Sequence, residues 1–246
     1  MHRFYYPDSD FNADQITLTD KQELHHLQHV LRLKAQDKIV VFNGKDREAQ
    51  GTIFSLDKKK VIIKIATARH VTNPLPNIIL SCAIPKKGKF EFILEKATEL
   101  GASEIIPLKT QRTEIHLSEE RFAKKRKRFE AIVINASKQC RRLTIPQIHP
   151  LTTFEAALTN LTQTAQVLFP CLTGDRQPIF EALKEIDTTK TIAIMIGPEG
   201  DFTPQECTLA KNKKCIPVTL GNTVLKVETA ALCALSCVAQ FTQKPL

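Results

Sequence analysis

The chain has 246 residues, 42% of them hydrophobic and 25% charged, and it contains no Trp. That length and composition are typical of one large or two ordinary globular domains and exclude a disordered chain, and the scarcity of aromatic residues argues against RNA binding through a broad stacking surface. The formal net charge of +9 is concentrated between Lys109 and Arg142, where eleven Lys or Arg stand against four Asp or Glu. This density favours a nucleic-acid phosphate partner over a merely solvated helix face.

The N-terminus and the cysteines indicate a reducing, aqueous compartment. Met1–Tyr6 lacks the apolar stretch of a signal peptide, and no apolar run reaches the length of a membrane span. The seven cysteines include no CxxC pair, which favours buried free thiols over disulfides or a zinc site. His25 and His29 are four residues apart but lack a third ligand. We therefore expect a cytoplasmic protein without a membrane partner and without a metal.

Residues 1–72 are predicted to form a compact β-rich domain. A short helix with Asp20 as its N-cap precedes the strands, and Asn43-Gly44 is a hairpin turn signal. The predicted strands are Lys38–Phe42, Ala49–Leu56 and Val61–Ile65. Short strands at this spacing are typical of a small barrel. Asn73-Pro74-Leu75-Pro76 then predicts a linker, and a second domain occupies residues 73–246.

From Asn77 onward, strands and helices alternate, which predicts a mostly parallel α/β sheet. The predicted strands are Ile78–Ile84, Glu104–Leu108, Val167–Leu172, Thr191–Ile196 and Ile216–Leu220. The apolar period of Phe90–Leu100 predicts a helix that Gly101 ends, and a long helix is expected from Ser118 to about Arg142. Capping boxes at Thr152-x-x-Glu155 and Thr203-Pro204-Gln205-Glu206 predict two further helix starts.

Two loops of this second domain carry the candidate chemistry. The Rossmann, P-loop, nucleophile-elbow and zinc-protease motifs are all missing from the sequence. Gly197-Pro198-Glu199-Gly200 follows one predicted strand, and Gly221–Leu225 follows the next. Open α/β sheets bind ligands at the carboxyl ends of their strands, and glycine lets the backbone approach a ligand closely. On this pattern alone, two tight turns with ordinary caps remain the alternative.

Five segments in chain order resemble the RsmE family of the SPOUT methyltransferase superfamily, whose members methylate N3 of a uridine in small-subunit ribosomal RNA. The matching segments are His26-Leu27-x-x-Val30-Leu31-Arg32-Leu33 with Asp37, Glu95–Gly101 with Ile106-Pro107, Gln139-Cys140-x-Arg142 with Pro146, Gly197–Gly200, and Leu220–Ala230. The chain departs from the family at two positions: Asp201 stands where Gly is usual, and Lys226 where Arg is usual. Lys keeps the charge of Arg but not its bidentate geometry.

The resemblance implies an α/β protein with a PUA-like β-barrel over residues 1–72 and, over residues 73–246, a SPOUT domain with a deep trefoil knot. It further implies S-adenosylmethionine as the cofactor, 16S ribosomal RNA of the small subunit as the partner, and a homodimer. General fold rules alone argue against a knot. Two alternatives stay open: a non-catalytic ribosome-assembly protein that binds RNA, and a methyltransferase of the same superfamily acting on ribose 2′-O or on transfer RNA.

The resemblance also assigns the site residues. Lys226 is the expected catalytic residue, a cation for the charge that develops on the uracil carbonyl oxygens, and a salt bridge to Glu228 or Glu199 is its alternative role. The general base stays unassigned. The expected cofactor-binding residues are Leu172, Ile196, Gly197, Pro198, Glu199, Gly200, Leu220, Gly221, Leu225, Glu228, Thr229 and Ala230. The basic segment, the Gln139–Arg142 match and the N-terminal barrel as a second surface give the expected RNA-binding residues: Arg3, Arg32, Lys34, Arg121, Lys124, Lys125, Arg126, Lys127, Arg128, Lys138, Gln139, Arg141 and Arg142.

Overall fold

The computed structural model describes residues 1–70, 76–86, 88–114 and 118–242. Two compact units divide these residues. The described residues of Met1–Asn73 pack with Ile134–Ile145, and those of Pro74–Val133 pack with Pro146–Leu246. Residues 73–75 of the predicted linker lie outside the described residues.

The first unit is built on a five-stranded sheet. Its strands are β1 (His2–Tyr5), β2 (Gln15–Leu18), β3 (Lys38–Phe42), β4 (Arg47–Leu56) and β5 (Val61–His70). They are hydrogen-bonded in the order β1-β3-β4-β5-β2, with β1 parallel to β3 and the other pairs antiparallel. The apolar face of this sheet encloses a core that includes Phe4, Leu18, Leu27 and Ile39.

Local sequence explains most of this unit. Asp20 caps α1 (Lys21–His25) by accepting from the backbone N–H of Gln22 and Glu23, as predicted, and a π-helical turn continues it from His26 to Val30. The predicted strand Lys38–Phe42 is confirmed, and β4 and β5 extend beyond their predicted bounds. Strands β1 and β2 were not predicted, because each is four residues long and carries too few apolar residues to show a period.

The second unit is a parallel α/β sheet, as the alternating pattern predicts. Its strands are β6 (Ile78–Ala83), β7 (Glu104–Lys109), β8 (Gln147–Ile148), β9 (Thr152–Thr153), β10 (Gln166–Pro170), β11 (Gln177–Pro178), β12 (Ile192–Ile196) and β13 (Ile216–Thr219). Their order is β11-β13-β10-β12-β6-β7-β8, with β9 also paired to β7, and every pair is parallel. β6 and β12 are buried along their whole length, as expected for central parallel strands.

Six helices alternate with these strands in the described part of the chain. They are α2 (Lys89–Glu99), α3 (Glu119–Gln139), α4 (Phe154–Thr164), α5 (Ile179–Glu185), α6 (Pro204–Asn212) and α7 (Val227–Thr242). Helix α2 ends before Gly101, which has a φ of 95° as a C-terminal glycine should. None of the helices within the described ranges combines the length and the apolar character that crossing a bilayer requires.

Three predicted element ends need correction. The cap of α4 is Thr153, whose side chain accepts from the N–H of Ala156, and not Thr152. Helix α3 ends at Gln139 and not near Arg142, because Arg141 adopts a left-handed φ of 61°. Strand β10 ends at Pro170, so that Cys171 and Leu172 belong to the loop that follows it. The predicted capping box of Thr203 and Glu206 at the start of α6 is confirmed.

Candidate functional site

A pocket lies at the carboxyl ends of the three neighbouring strands β13, β10 and β12. Three loops line it: Pro170–Leu172 with Arg176 after β10, Ile196–Glu199 with Asp201 after β12, and Val218–Leu225 after β13. Val227 and Ala230 of α7 complete the wall. The two sequence motifs, more than twenty residues apart in the chain, therefore meet in one cavity at the edge of the sheet where parallel α/β folds bind ligands.

Aromatic packing and a backbone hydrogen bond fix the loop after β12 (Gly197–Phe202). Phe202 is buried and stacks on Phe169 with ring centroids 4.3 Å apart. A Cβ on Gly197 would lie 3.1 Å from the Phe202 ring, so that a larger residue requires this ring to move. The carbonyl of Gly200 accepts from the Nη1 of Arg112 at 2.8 Å. Both glycines are thus set by close neighbours, which holds the loop backbone in place.

The two carboxylates of this loop are held by backbone N–H groups from other elements. The Oε1 of Glu199 accepts from the N–H of Lys86, which follows β6, at 3.0 Å. The Oδ2 of Asp201 accepts from the N–H of Leu172 at 3.0 Å. These bonds connect the loop after β12 to the loops on either side, and charge-assisted bonds of this kind are among the stronger ones in proteins.

Asp201 occupies a backbone conformation that favours glycine. Its φ is 58°, in the left-handed region that glycine adopts without strain and that Asp adopts more readily than most other residues. The Asp side chain adds the bond to Leu172 that a glycine lacks. Asp201 therefore adopts the turn and connects two pocket loops.

The loop after β13 contributes mainly backbone and apolar surface. Gly221 has a φ of 128°, and the hydroxyl of Thr219 bonds both its N–H and its carbonyl. Val224 is 75% exposed at the rim, and Leu220 and Leu225 are half-buried in the wall. This arrangement suits an aromatic base held between apolar side chains and backbone polar groups.

The structure brings most of the predicted cofactor-binding residues together. Those that line the pocket are Leu172, Ile196, Gly197, Pro198, Glu199, Leu220, Gly221, Leu225 and Ala230. Three described residues, Gly200, Glu228 and Thr229, are not part of its lining. Other residues also line it. Pro170, Cys171 and Arg176 come from β10 and the loop after it, which no sequence motif marked, and the rest lie within or beside the two motifs without having been assigned to the cofactor: Asp201, Val218, Thr219, Asn222, Thr223, Val224 and Val227.

Lys226 is exposed, and in the chain it stands between the pocket-lining residues Leu225 and Val227. Glu228 is engaged elsewhere, in an ion pair with Lys89 at the start of α2. Burial acts to raise the pKa of Glu228, but the hydrogen bond from Lys89, that from its own N–H, and the charges of Lys89 and Lys226 together lower it. Lys89 therefore holds the carboxylate of Glu228.

The thiol in the pocket wall is neutral at physiological pH. Cys171 is buried in the loop after β10, and burial is the main cause that raises its pKa to about 11. A neutral thiol is a poor nucleophile, so Cys171 contributes packing and not covalent chemistry.

The basic face of the second unit is the first part of α3, Arg121–Arg128. All six of its basic side chains are exposed. Lys124, Arg126 and Arg128 pair with Glu120, Glu130 and Glu91, whereas no carboxylate among the described residues pairs with Arg121, Lys125 or Lys127. The apolar side of the helix packs inward through Phe122 and Phe129.

Three predicted RNA-binding residues of the first unit are directed inward. The side chain of Arg3 is only 9% exposed and pairs with the buried Glu48 at 2.9 Å. Lys138 is 13% exposed and pairs with Glu23 at 2.7 Å. Burial lowers the pKa of Arg142, whose Nε donates to Thr144. The distribution of charge along the sequence could not show these contacts, because the partners of Arg3 and Lys138 lie 45 and 115 residues away in sequence.

The remaining predicted RNA-binding residues of the first unit are exposed: Arg32, Lys34, Gln139 and Arg141. His25 and His29 face each other with ring centroids 5.0 Å apart. No group of three or more potential metal ligands occurs among residues 1–70, 76–86, 88–114 and 118–242.

The comparisons with known proteins agree with this geometry. The chain matches the family model of the RNA methyltransferase domain over residues 72–239 and that of the RNA methyltransferase PUA domain over residues 18–66. It is 32% identical to the ribosomal RNA small subunit methyltransferase E of Synechocystis sp., covering 90% of this chain and 71% of that protein. It is 30% identical to that of Buchnera aphidicola, covering 94% and 90%.

A solved structure is similar over the same range. The crystal structure of a ribosomal RNA small subunit methyltransferase E from Neisseria gonorrhoeae, bound to S-adenosyl methionine, superposes with a TM-score of 0.84 at 29% identity. The match covers 98% of this chain and 97% of that one.

Proposed function

The chain belongs to the ribosomal RNA small subunit methyltransferase E family, and we propose that it transfers a methyl group from S-adenosylmethionine to N3 of a uridine in 16S ribosomal RNA. The observation that carries this proposal is the single pocket lined by both glycine-containing loops, Ile196–Glu199 and Val218–Leu225. Its backbone groups, apolar walls and charged side chains suit the adenine, ribose and amino-acid parts of that cofactor.

S-adenosylmethionine supplies a methyl group activated by its positive sulfonium. The chain must then hold the uridine in line with that methyl group, which contributes roughly 7–11 kcal/mol in favourable cases. It must also stabilise the negative charge that the uracil carbonyl oxygens acquire as the N3 proton leaves. Lys226 is the proposed cation for this charge, since it is exposed beside the pocket and Glu228 is occupied by Lys89.

Substitution of Lys226 tests this role. Lys226→Ala should lower the methylation rate by roughly 100- to 1000-fold, the effect of removing one charge-stabilising donor, while calorimetry finds unchanged affinity for S-adenosylmethionine. Lys226→Arg should retain most of the activity, and Lys211→Ala, an exposed lysine at the end of α6, serves as the control. Full methylation by Lys226→Ala with normal cofactor binding would overturn the proposed role.

The RNA-binding role is proposed for the exposed basic residues and not for the inward-directed ones. In the second unit these are the six basic residues of Arg121–Arg128, and in the first unit Arg32, Lys34 and Arg141. Arg3 and Lys138 are better explained as partners of buried carboxylates, since breaking such a pair leaves an uncompensated charge.

Purified chain with S-adenosylmethionine and small ribosomal subunits, analysed by nucleoside mass spectrometry, tests the reaction. The proposal predicts 3-methyluridine. A 2′-O-methylated nucleoside would support the rival methyltransferase, and absence of cofactor binding in calorimetry would support the non-catalytic assembly protein.

We further propose three properties that accompany this function. The first is a trefoil knot in the second unit, supported by the match of residues 72–239 to the RNA methyltransferase domain and by the resemblance to the SPOUT superfamily. The second is a homodimer, supported by the partly exposed residues Leu232, Cys233 and Cys237 and the exposed Phe241 along one helix, α7. The third is a cytoplasmic location, in keeping with a ribosomal substrate and with seven free cysteines.

A further inference from the structure

The pocket carries three charged side chains in its described lining: Arg176, Glu199 and Asp201. Their formal charges sum to minus one. S-adenosylmethionine carries a positive sulfonium, a positive ammonium and a negative carboxylate, and its net charge is therefore plus one. The pocket and the proposed cofactor are complementary in net charge, which leaves the question of which group faces which.

The two acids of the pocket are already connected to backbone N–H groups. Glu199 accepts from Lys86, and Asp201 accepts from Leu172, each at 3.0 Å. A carboxylate has about four lone-pair sites, so each acid can still accept from a cationic ligand. Neither acid forms a salt bridge within the described residues, where the nearby lysines Lys86 and Lys89 pair with Glu114 and Glu228 instead. They are therefore suited to the positive end of the cofactor.

Arg176 is the one cation in the described lining, and its position is set by the loop after β10. Its Nη1 donates to the carbonyl of Cys171 at 2.8 Å. That bond uses one of the five N–H donors of a guanidinium. No carboxylate in the described part of the chain pairs with Arg176, although Glu199 and Asp201 line the same pocket. The loop thus presents a fixed, unneutralised guanidinium to whatever occupies the pocket.

We propose that Arg176 binds the carboxylate of S-adenosylmethionine and so positions the amino-acid end of the cofactor. The carboxylate is the single anionic group of that ligand, and a guanidinium matches its two oxygens with a fork of two donors. This inference rests on the proposed function. No local motif marks Arg176 in the sequence, and only the packing of the loop after β10 brings it to the pocket.

Binding of three ligands to three variants tests the assignment. S-adenosylmethionine and S-adenosylhomocysteine both carry the carboxylate, whereas 5′-methylthioadenosine has the same adenosine and thioether without the amino-acid end. Calorimetry would compare the wild-type protein with Arg176→Ala, Arg176→Lys and the control Asp175→Ala, an exposed neighbour on the same loop that is not part of the described lining.

Arg176→Ala should weaken binding of the two carboxylate-containing ligands by about 10- to 100-fold, the usual range for a lost hydrogen bond to a charged group. Its affinity for 5′-methylthioadenosine should stay within about twofold of the wild type, which also reports that the pocket is folded. Arg176→Lys should be intermediate, because it keeps the charge and loses the fork. Asp175→Ala should bind all three ligands normally.

Two results would overturn the inference and leave the proposed function standing. An equal loss for all three ligands would mean that Arg176 supports the loop or the adenosine part, and unchanged affinity for all three would mean that it contacts none of them. Wild-type protein that binds none of the three ligands would overturn the proposed function, and this inference with it.

Discussion

The pocket and the basic face of α3 belong to the same unit but are built on opposite principles. The pocket is defined by backbone conformation: the Gly197–Phe202 loop rests on the buried Phe202, and the Val218–Leu225 loop turns at Gly221. The basic face is defined by side chains alone, six exposed cations on the solvent side of a regular helix. A single change in the pocket should therefore have a large, local effect, whereas changes on α3 should act in small and roughly additive steps.

The largest loss of stability is expected for Phe202, whose ring packs under the Gly197–Phe202 loop. Phe202→Ala removes a buried ring that stacks on Phe169 and supports Gly197, and should lower the free energy of unfolding by about 3–5 kcal/mol. Phe180→Ala, which removes the same side chain at a position 57% exposed, should stay within about 0.5 kcal/mol of the wild type. Urea unfolding measures both. Equal losses would show that the loop does not depend on this ring.

The contributions of the α3 side chains to RNA affinity can be tested with two matched triple variants. One replaces Arg121, Lys125 and Lys127 by Ala, and the other replaces Lys124, Arg126 and Arg128, which pair with carboxylates. Both remove three charges. The first should reduce the slope of log affinity for RNA against log salt by about 2, at roughly 0.7 per single-strand phosphate contact, and the second by less. If both triple variants kept the wild-type slope, the basic face would be in contact with solvent and not with RNA phosphates.

Two substitutions of Asp201 separate the effect of its backbone conformation on stability from the effect of its side chain on cofactor affinity. Asp201→Gly and Asp201→Ala both lose the bond to the Leu172 N–H and should lose cofactor affinity alike. Only Ala keeps a Cβ at a φ of 58°, so Asp201→Ala should be less stable than Asp201→Gly by about 1 kcal/mol. Thermal unfolding gives this difference. Equal stabilities would contradict a strained turn at this position.

The smallest effect concerns the pH dependence of the Lys89–Glu228 pair. Because the folded state lowers the pKa of Glu228, its contribution to stability is present above the ordinary Glu pKa and is lost as pH falls through the lowered value. The free energies of unfolding of the wild type and Glu228→Gln should differ by less than about 1 kcal/mol at pH 7. This difference should disappear at acidic pH. Glu181→Gln, from an exposed pair on α5, is the control. A difference that grows as pH falls would reverse the assigned sign.

The sequence predicts the five longer strands of the second unit because they are apolar runs, but it does not predict β8, β9 and β11, which are two residues long and too short to show such a run. β6 and β12 are buried throughout, and such runs differ clearly from their polar flanks. The strand ends were less predictable. Val167–Leu172 looks like one apolar run, but the strand stops at Pro170, and the two residues after it line the pocket.

The site was predictable only where its residues are consecutive. The Gly197-Pro198-Glu199 loop is visible as a motif, whereas Arg176 reaches the same pocket from a loop with no local signature. Lys138 was assigned to RNA from the charge map, and its burial against Glu23 depends on a contact across 115 residues. Net charge shows where cations are concentrated, but not which of them already have a partner.

The most direct test of uridine-N3 methylation is nucleoside mass spectrometry of small-subunit ribosomal RNA from a strain lacking the gene for this chain. We predict that 3-methyluridine disappears on deletion, returns with the wild-type gene, and does not return with Lys226→Ala. Persistence of 3-methyluridine in the deletion strain would contradict the proposed reaction.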